Sequence, residues 1–98
     1  MSDINNIAMS ALHAFGTGQQ VTANNLANVN TDGFKASKVE FRDNGAAGVA
    51  VSVSRTEDTV DISREATSLI SNASGFKANL TTIKTADEMA KELFSLKA

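Results

Sequence analysis

The sequence of 98 residues contains no cysteine, no proline, no tryptophan and no tyrosine. Without cysteine the chain can form neither disulfides nor thiolate metal sites, and it has no cysteine nucleophile. Without proline, nothing in a helical pattern forces the helix to break. The five phenylalanines are the only aromatic residues, so alanine and the aliphatic residues supply most of the apolar surface. A core of this kind buries little area per residue, and such chains often gain stability from a partner or from self-association.

Charge is also missing from a long stretch of the chain. No residue between Asp3 and Asp32 is a lysine, arginine, aspartate or glutamate, and every lysine and arginine lies at or after Lys35. The formal net charge is −2 without a basic excess, which argues against nucleic acid as a partner. No stretch approaches the roughly 18 apolar residues that span a bilayer, so we expect no membrane insertion. The first residues lack a basic segment followed by an apolar run, so we expect no Sec-type signal peptide.

No group of residues in the sequence has the pattern of a catalytic site. His13 is the single histidine and has no carboxylate nearby in the sequence to orient it, so it is interpreted as a surface or interface residue. The adjacent Asp87 and Glu88 point in different directions on a helix, and the glycines do not form a phosphate-binding pattern. We therefore predict a protein that is not an enzyme and that has no cofactor, no metal and no small-molecule substrate.

Residues 3–29 have the spacing of an amphipathic helix, and Ser2 and Asp3 can cap its start. Gly18 lies on its apolar side, and Gly16 and Gly18 each weaken the helix by roughly 1 kcal/mol relative to alanine. The sequence leaves two outcomes open there, a bend in the helix or the close approach of another helix. The turn residues 31–33 should end the helix near residues 28–30. Two neighbouring apolar stripes follow a spacing of three to four residues: Ile4, Ile7, Ala11, Ala14 and Val21 on one, and Ala8, Leu12, Phe15, Thr22, Leu26 and Val29 on the other.

In the connection, residues 36–60, apolar residues recur with a different period. Val39 and Phe41 alternate with polar residues, and so do the valines of residues 49–53. This alternation is typical of half-buried strands, and the small residues 44–48 lie between the two runs. The connection therefore predicts a β-hairpin.

Residues 62–96 again have helical spacing, with Asp61 or Ser63 as the capping residue. We predict a single domain, residues 1–98, that is mainly α. Two long amphipathic helices, about 3–29 and 62–96, pair as an antiparallel helical hairpin or coiled coil with a small β-hairpin in the connection. The apolar face of the second helix comprises Leu69, Ala73, Phe76, Leu80, Ile83, Ala86, Met89, Leu93 and Leu96.

Four asparagines, Asn24, Asn25, Asn28 and Asn30, cluster at the end of the first helix. One hypothesis is that amides at a helix seam fix the register, because each buried amide must find a hydrogen-bond partner. The other is that the asparagines simply end the helix, since asparagine is a poor helix former and a good cap. The spacing alone favours neither.

The run of residues 23–35, Ala-Asn-Asn-Leu-Ala-Asn-Val-Asn-Thr-Asp-Gly-Phe-Lys, resembles the N-terminal signature of flagellar basal-body rod and hook proteins. That signature reads A-N-N-[LI]-A-N-x-N-T-x-G-[FY]-K. The second half resembles the other end of the same family. The matching residues there are Val60, Asp61, Ile62, Glu65, Leu69, Ile70, Ala73, Phe76, Ala78, Asn79, Ile83, Thr85, Ala86, Asp87, Glu88, Met89 and Leu93. Together the two resemblances cover residues 2–35 and 60–97.

This resemblance implies a structural rod subunit. In the family the two ends form a helical pair, and the pairs pack side by side into a tube. The resemblance divides the chain into an N-terminal rod-type helix and turn (2–35), the short β-rich connection (36–60) and a C-terminal rod-type helix (61–97). The short connection favours the small proximal rod proteins. An adaptor or regulatory module that binds axial or export proteins, without being built into the rod, is the second hypothesis.

The resemblance also implies partners and a location. The expected partners are further copies of the chain, other flagellar axial proteins, or both. The expected location is the periplasmic rod of the basal body, reached from the cytoplasm by flagellar type III export. The residues expected to make protein contacts are Ile4, Ile7, Ala11, Leu12, Phe15, Val21, Asn24, Asn25, Leu26, Asn28, Asn30, Gly33, Phe34, Leu69, Ala73, Phe76, Asn79, Leu80, Ile83, Met89, Leu93 and Leu96.

Overall fold

The computed structural model describes residues 2–97 and confirms the predicted mainly helical fold. Helix α1 spans Ser2–Ala27, strand β1 Ser37–Asp43, strand β2 Val49–Arg55 and helix α2 Ile62–Lys97. The helices pack against each other, and the two-stranded antiparallel sheet lies between them in the chain. The molecule is elongated, with extents of 64 × 22 × 14 Å.

Helix α1 ends just before the predicted boundary. The side chain of Asn28 donates a hydrogen bond to the carbonyl oxygen of Asn24 at 2.9 Å. The hydroxyl of Thr31 donates to the side-chain oxygen of Asn28 at 3.1 Å. Gly33 then has a φ of 75°, a conformation that glycine adopts without strain. The predicted capping side chains of Ser2 and Asp3, at the other end of α1, lie outside the described side chains.

Asp61, one of the two capping residues that the sequence offers, caps the start of α2. Its side-chain oxygen accepts a hydrogen bond from the backbone N–H of Arg64 at 3.2 Å. Its carbonyl oxygen accepts from the backbone N–H of Glu65 at 3.0 Å. The side-chain bond satisfies a donor that the first helical turn leaves free, and the backbone bond is the first regular bond of the helix.

The two helices run antiparallel in a fixed register. Gly18 lies opposite Asn72, Phe15 opposite Gly75 and Asn25 opposite Glu65, so the numbers of facing residues sum to 90. Helix α2 has 36 residues and α1 has 26. At 1.5 Å per residue they measure about 54 Å and about 39 Å. Residues 91–96 of α2 therefore extend past the described start of α1, and all six are exposed.

Glycines allow the close approach of the two helices. A Cβ on Gly75 would lie 2.5 Å from Cζ of Phe15, and a Cβ on Gly18 would lie 2.8 Å from Nδ2 of Asn72. Both distances are below van der Waals contact, so each glycine makes room for a side chain of the facing helix. The close approach that the sequence suggests at Gly18 is present.

The hairpin lies along α1. Val39 pairs with Val53 and Phe41 with Val51. The ring of Phe41 packs at 5.3 Å from that of Phe15 on α1. At the tip of the hairpin, the backbone N–H of Val49 donates to the hydroxyl oxygen of Ser10 at 2.9 Å. The hairpin is thus held to α1 at its tip and in its middle.

The core consists of small residues. The buried apolar residues among those described are Ala8, Ala11, Ala14, Ala36 and Ala86, and the buried polar residues are Thr22, Asn25, Glu65 and Asn72. Because alanine buries little area, this core stabilises the isolated chain only modestly.

Candidate protein-interaction surfaces

The predicted contact residues of α1 lie mostly against the rest of the chain. Ala11 is buried, and Leu12, Phe15, Val21 and Leu26 are half-buried. The exceptions are Ile4 and Ile7 near the start of the helix, which are 48% and 41% exposed. Most of the apolar side of α1 is therefore occupied within the chain.

The predicted apolar face of α2 lies largely off the contact with α1. Ala86 is buried, and Leu69 and Ile83 are half-buried, as is the predicted contact residue Asn79. The remaining predicted residues of this face are exposed, namely Ala73, Phe76, Leu80, Met89, Leu93 and Leu96. Glu65, Asn72 and Gly75, which were not predicted for this face, lie at the contact with α1.

Close packing explains this difference. Helices that approach at Gly18 and Gly75 leave room only for small or flat side chains at the centre of their contact. Larger apolar side chains then lie at the sides of α2. Sequence reasoning missed Glu65 and Asn72 because both are polar. The signal that could have found them is their helical spacing with Ile83 and Ala86, which lie on the same side of α2.

Two groups of apolar side chains on α2 are left open to partners. Residues Ile62, Leu69, Phe76 and Leu80 recur at helical spacing and form one side of the helix, which we call the α2 flank. Three of the four are exposed, Ile62 to 58%, and Leu69 is half-buried. The second group, the α2 end, comprises Leu93, Phe94 and Leu96, with Leu96 84% exposed. Contiguous exposed apolar side chains are typical of protein–protein contact sites.

The asparagine-rich run contains one side chain that joins three elements. Asn25 is 1% exposed. Its Nδ2 donates to the carbonyl oxygen of Ser37 at 2.8 Å and to Oε1 of Glu65 at 3.0 Å. Its Oδ1 accepts from the backbone N–H of Ser37 at 3.0 Å. The amide thus ties α1 to the first residue of β1 and to the first turns of α2.

The other asparagines of the run behave differently. Asn28 makes the local bonds that end α1, whereas Asn24 and Asn30 are exposed. The register hypothesis therefore describes Asn25, and the helix-ending hypothesis describes Asn28. In the turn that follows, Gly33 is exposed and Phe34 is half-buried.

The described residues show no arrangement typical of metal or membrane sites. Among the described side chains, those of residues 4–96, no three histidine, aspartate or glutamate side chains come together as metal ligands. Neither α1 nor α2, as described, is long and apolar enough to cross a membrane.

Two family models match the chain. A model described as flagella basal body rod protein matches residues 6–35, which cover most of α1 and the turn after it. A model described as flagellar basal body rod FlgEFG protein C-terminal matches residues 59–96, which cover nearly all of α2. No curated protein matches the chain closely enough to count as a relative. The two matches coincide with the two paired helices and leave out the hairpin.

Proposed function

The chain belongs to the flagellar basal body rod protein family, and from this premise we propose that it is a structural subunit of the rod. The family is a structural component of the flagellum. Membership therefore supports a non-enzymatic role in motility and a location in the basal body. Other axial proteins of the flagellum are the partners that this role requires.

The α2 flank and the α2 end carry the proposal that assembly occurs through the terminal helices. Phe76 and Leu80 on the flank, and Leu93, Phe94 and Leu96 at the end, are all exposed in the single chain. Burial of a large apolar side chain contributes about 1.5–3 kcal/mol. Packing against helices of neighbouring subunits would bury these side chains, which the chain itself leaves in water.

The uncharged sequence of α1 supports the same proposal. No lysine, arginine, aspartate or glutamate lies between Asp3 and Asp32, so a neighbour can cover α1 without removing a charge from water. Removal of unpaired charges from water is costly, and a long uncharged helix avoids that cost. We further propose that the chain reaches the periplasmic rod by flagellar type III export.

A gene deletion tests the rod role. We expect a strain without the gene to assemble few or no complete flagella and to lose swimming, and we expect the wild-type gene on a plasmid to restore both. Normal swimming in a deletion strain without a duplicate gene would refute the proposal. The adaptor hypothesis also expects a motility defect, so the deletion does not distinguish it from the rod role. Purified basal bodies distinguish the two, because they should contain a rod subunit and lack an adaptor.

A further inference from the structure

The hairpin has two outer edges, and its hydrogen-bond pattern shows which backbone groups face outward. The backbone N–H of Asn44 donates to the carbonyl of Gly48, and that of Thr56 donates to the carbonyl of Ala36, at the two ends of the ladder. Because bonded pairs alternate along an antiparallel ladder, the even-numbered residues of the two strands bond to each other. The backbone groups of the odd-numbered residues therefore point away from the partner strand, on β1 and on β2.

Side chains of α1 occupy one outward position on each strand. Asn25 bonds to the backbone of Ser37 on β1, and the hydroxyl of Ser10 accepts from the N–H of Val49 on β2. The backbone groups of the next three outward residues of β2 have no hydrogen-bond partner among the described residues. We call these residues the β2 edge: Val51, Val53 and Arg55. A row of free donors and acceptors is the feature with which an added strand pairs.

The two edges differ in their protection. Four of the seven residues of β1 are charged, and charged side chains discourage the addition of a strand. Residues 49–54 contain no charge and no proline, and three of these six residues are valine, a composition that favours strand pairing. A cavity of about 490 Å³ separates the hairpin from α2, and it is lined by β1 but by none of residues 49–54. The side of β1 therefore faces α2, whereas the β2 edge faces away from it.

The β2 edge is complementary to itself. In an antiparallel pair centred on Val53, this residue lies opposite Val53 of a second copy, and Val51 lies opposite Arg55. Each of the three opposed pairs exchanges two hydrogen bonds, so all the free backbone groups of both edges are satisfied. Between these pairs Ser52 lies opposite Ser54, and no like charges face each other. The pair also covers the side chain of Val53, which is 51% exposed in the single chain.

The helices under the sheet leave room for this pair. Strands lie about 4.8 Å apart, so the centres of two adjoining hairpins lie about 9.6 Å apart. Packed helices have axes about 8–10 Å apart, so the two α1 helices under the hairpins can pack side by side. Residues 4–31 contain no lysine, arginine, aspartate or glutamate, so this contact removes none of these charges from water. A pair through β1 would instead bring α2 of each copy into the place of the other copy's α1.

We propose that two copies of the chain associate through the β2 edge, about a two-fold axis at Val53, and form one four-stranded sheet on four helices. This dimer goes beyond the proposed rod function. A two-fold contact uses the same surface on both copies and closes after two, whereas a rod needs contacts that repeat in one direction. The dimer is therefore a state of the chain outside the rod, and it covers an edge that the single chain leaves in water.

Disulfide cross-linking tests the position of the axis, because the chain has no cysteine of its own. Opposed residues that exchange hydrogen bonds have Cα atoms about 5.5 Å apart, a distance that a disulfide spans. We expect the full-length Val53→Cys variant to form a covalent dimer under mild oxidation. The control Arg42→Cys changes an exposed residue of β1. In the dimer it lies three strand spacings, about 14 Å, from its counterpart, so it should remain free of the disulfide.

Two double variants at exposed positions test the register. Ser54→Lys combined with Ser52→Lys places two lysines opposite each other twice in the dimer, whereas Ser54→Lys combined with Ser52→Glu places a lysine opposite a glutamate twice. We expect sedimentation equilibrium to give an about tenfold higher dimer dissociation constant for the first variant. Within one hairpin residue 52 lies opposite Glu40, so effects inside the chain favour the first variant and act against this result.

Three results would overturn the proposal. The first is a wild-type chain that sediments as a monomer at every concentration up to about 1 mM. The second is equal cross-linking of Val53→Cys and Arg42→Cys, or equal dissociation constants for the two double variants. The third is a cross-link from Val53→Cys to a different axial protein in basal bodies without a dimer in solution, which would assign the β2 edge to that protein. The rod function stands after any of these results, because it is tested by incorporation into basal bodies.

Discussion

At the scale of single residues, Asn25 has the most connected side chain in the described structure. It makes two hydrogen bonds to Ser37 and one to Glu65, and thereby fixes where β1 and α2 meet the end of α1. The side chain of Asn25 bonds to both the backbone N–H and the backbone carbonyl of Ser37, in the way that a residue of a neighbouring strand bonds to its partner. The conformation of this corner therefore depends on one amide.

Replacement of Asn25 by alanine should destabilise the chain by about 3 kcal/mol, because the carboxylate of buried Glu65 and the N–H and carbonyl of half-buried Ser37 lose their hydrogen bonds. Urea unfolding followed by circular dichroism measures the loss. The control Asn24→Ala removes an exposed asparagine of the same helix and should cost less than about 0.5 kcal/mol. Equal losses in the two variants would show that the network around Asn25 contributes nothing.

Gly75 allows a second test at this scale. Alanine is a better helix former than glycine by about 1 kcal/mol, but a Cβ at Gly75 overlaps the ring of Phe15. We expect Gly75→Ala to destabilise the chain by about 1–3 kcal/mol. Gly16→Ala is the matched control, because no atom lies within 4 Å of its added Cβ, and it should stabilise α1. A stabilised Gly75→Ala variant would contradict the close helix approach.

At the scale of elements, periodicity predicts both helices and the hairpin. Alternating valines predict β2, the Asp61 cap predicts the start of α2, and residues 31–33 predict the end of α1. The side of α2 that meets α1 is not predictable in this way. Leucines such as Leu80 mark an apolar stripe, whereas the contact is made through Asn72 and Gly75, where steric fit decides. The hydrophobicity pattern of a helix does not show which of its side chains fit sterically against the facing helix.

The substitution Leu80→Asp tests whether Leu80 packs within the chain or contacts neighbouring subunits. Leu80 is 47% exposed, so we expect the isolated variant to keep its helicity and to lose about 1 kcal/mol or less of stability. Its incorporation into basal bodies should fall strongly, because assembly would bury a charge on the α2 flank. Ser74→Asp, at an exposed position away from the flank, is the control and should be incorporated normally. Loss of helicity in the isolated Leu80→Asp chain would show that Leu80 packs against α1.

At the scale of the whole molecule, the chain consists of two paired helices, with a short hairpin held along one of them. Its core is built from alanines and a few polar residues, and α2 projects past α1 with an exposed apolar end. A core so small gives limited stability, so contacts with neighbours should contribute much of the stability of the assembled state. The elongated shape and the apolar sides of α2 suit lateral packing with other helices.

The protein content of purified basal bodies tests the central claim most directly. Quantitative mass spectrometry of hook–basal bodies, isolated after detergent extraction, should find this chain at a constant number of copies per particle. Antibody labelling should place it on the rod. Absence of the chain from these particles, in cells that contain it in the cytoplasm, would contradict a structural role in the rod.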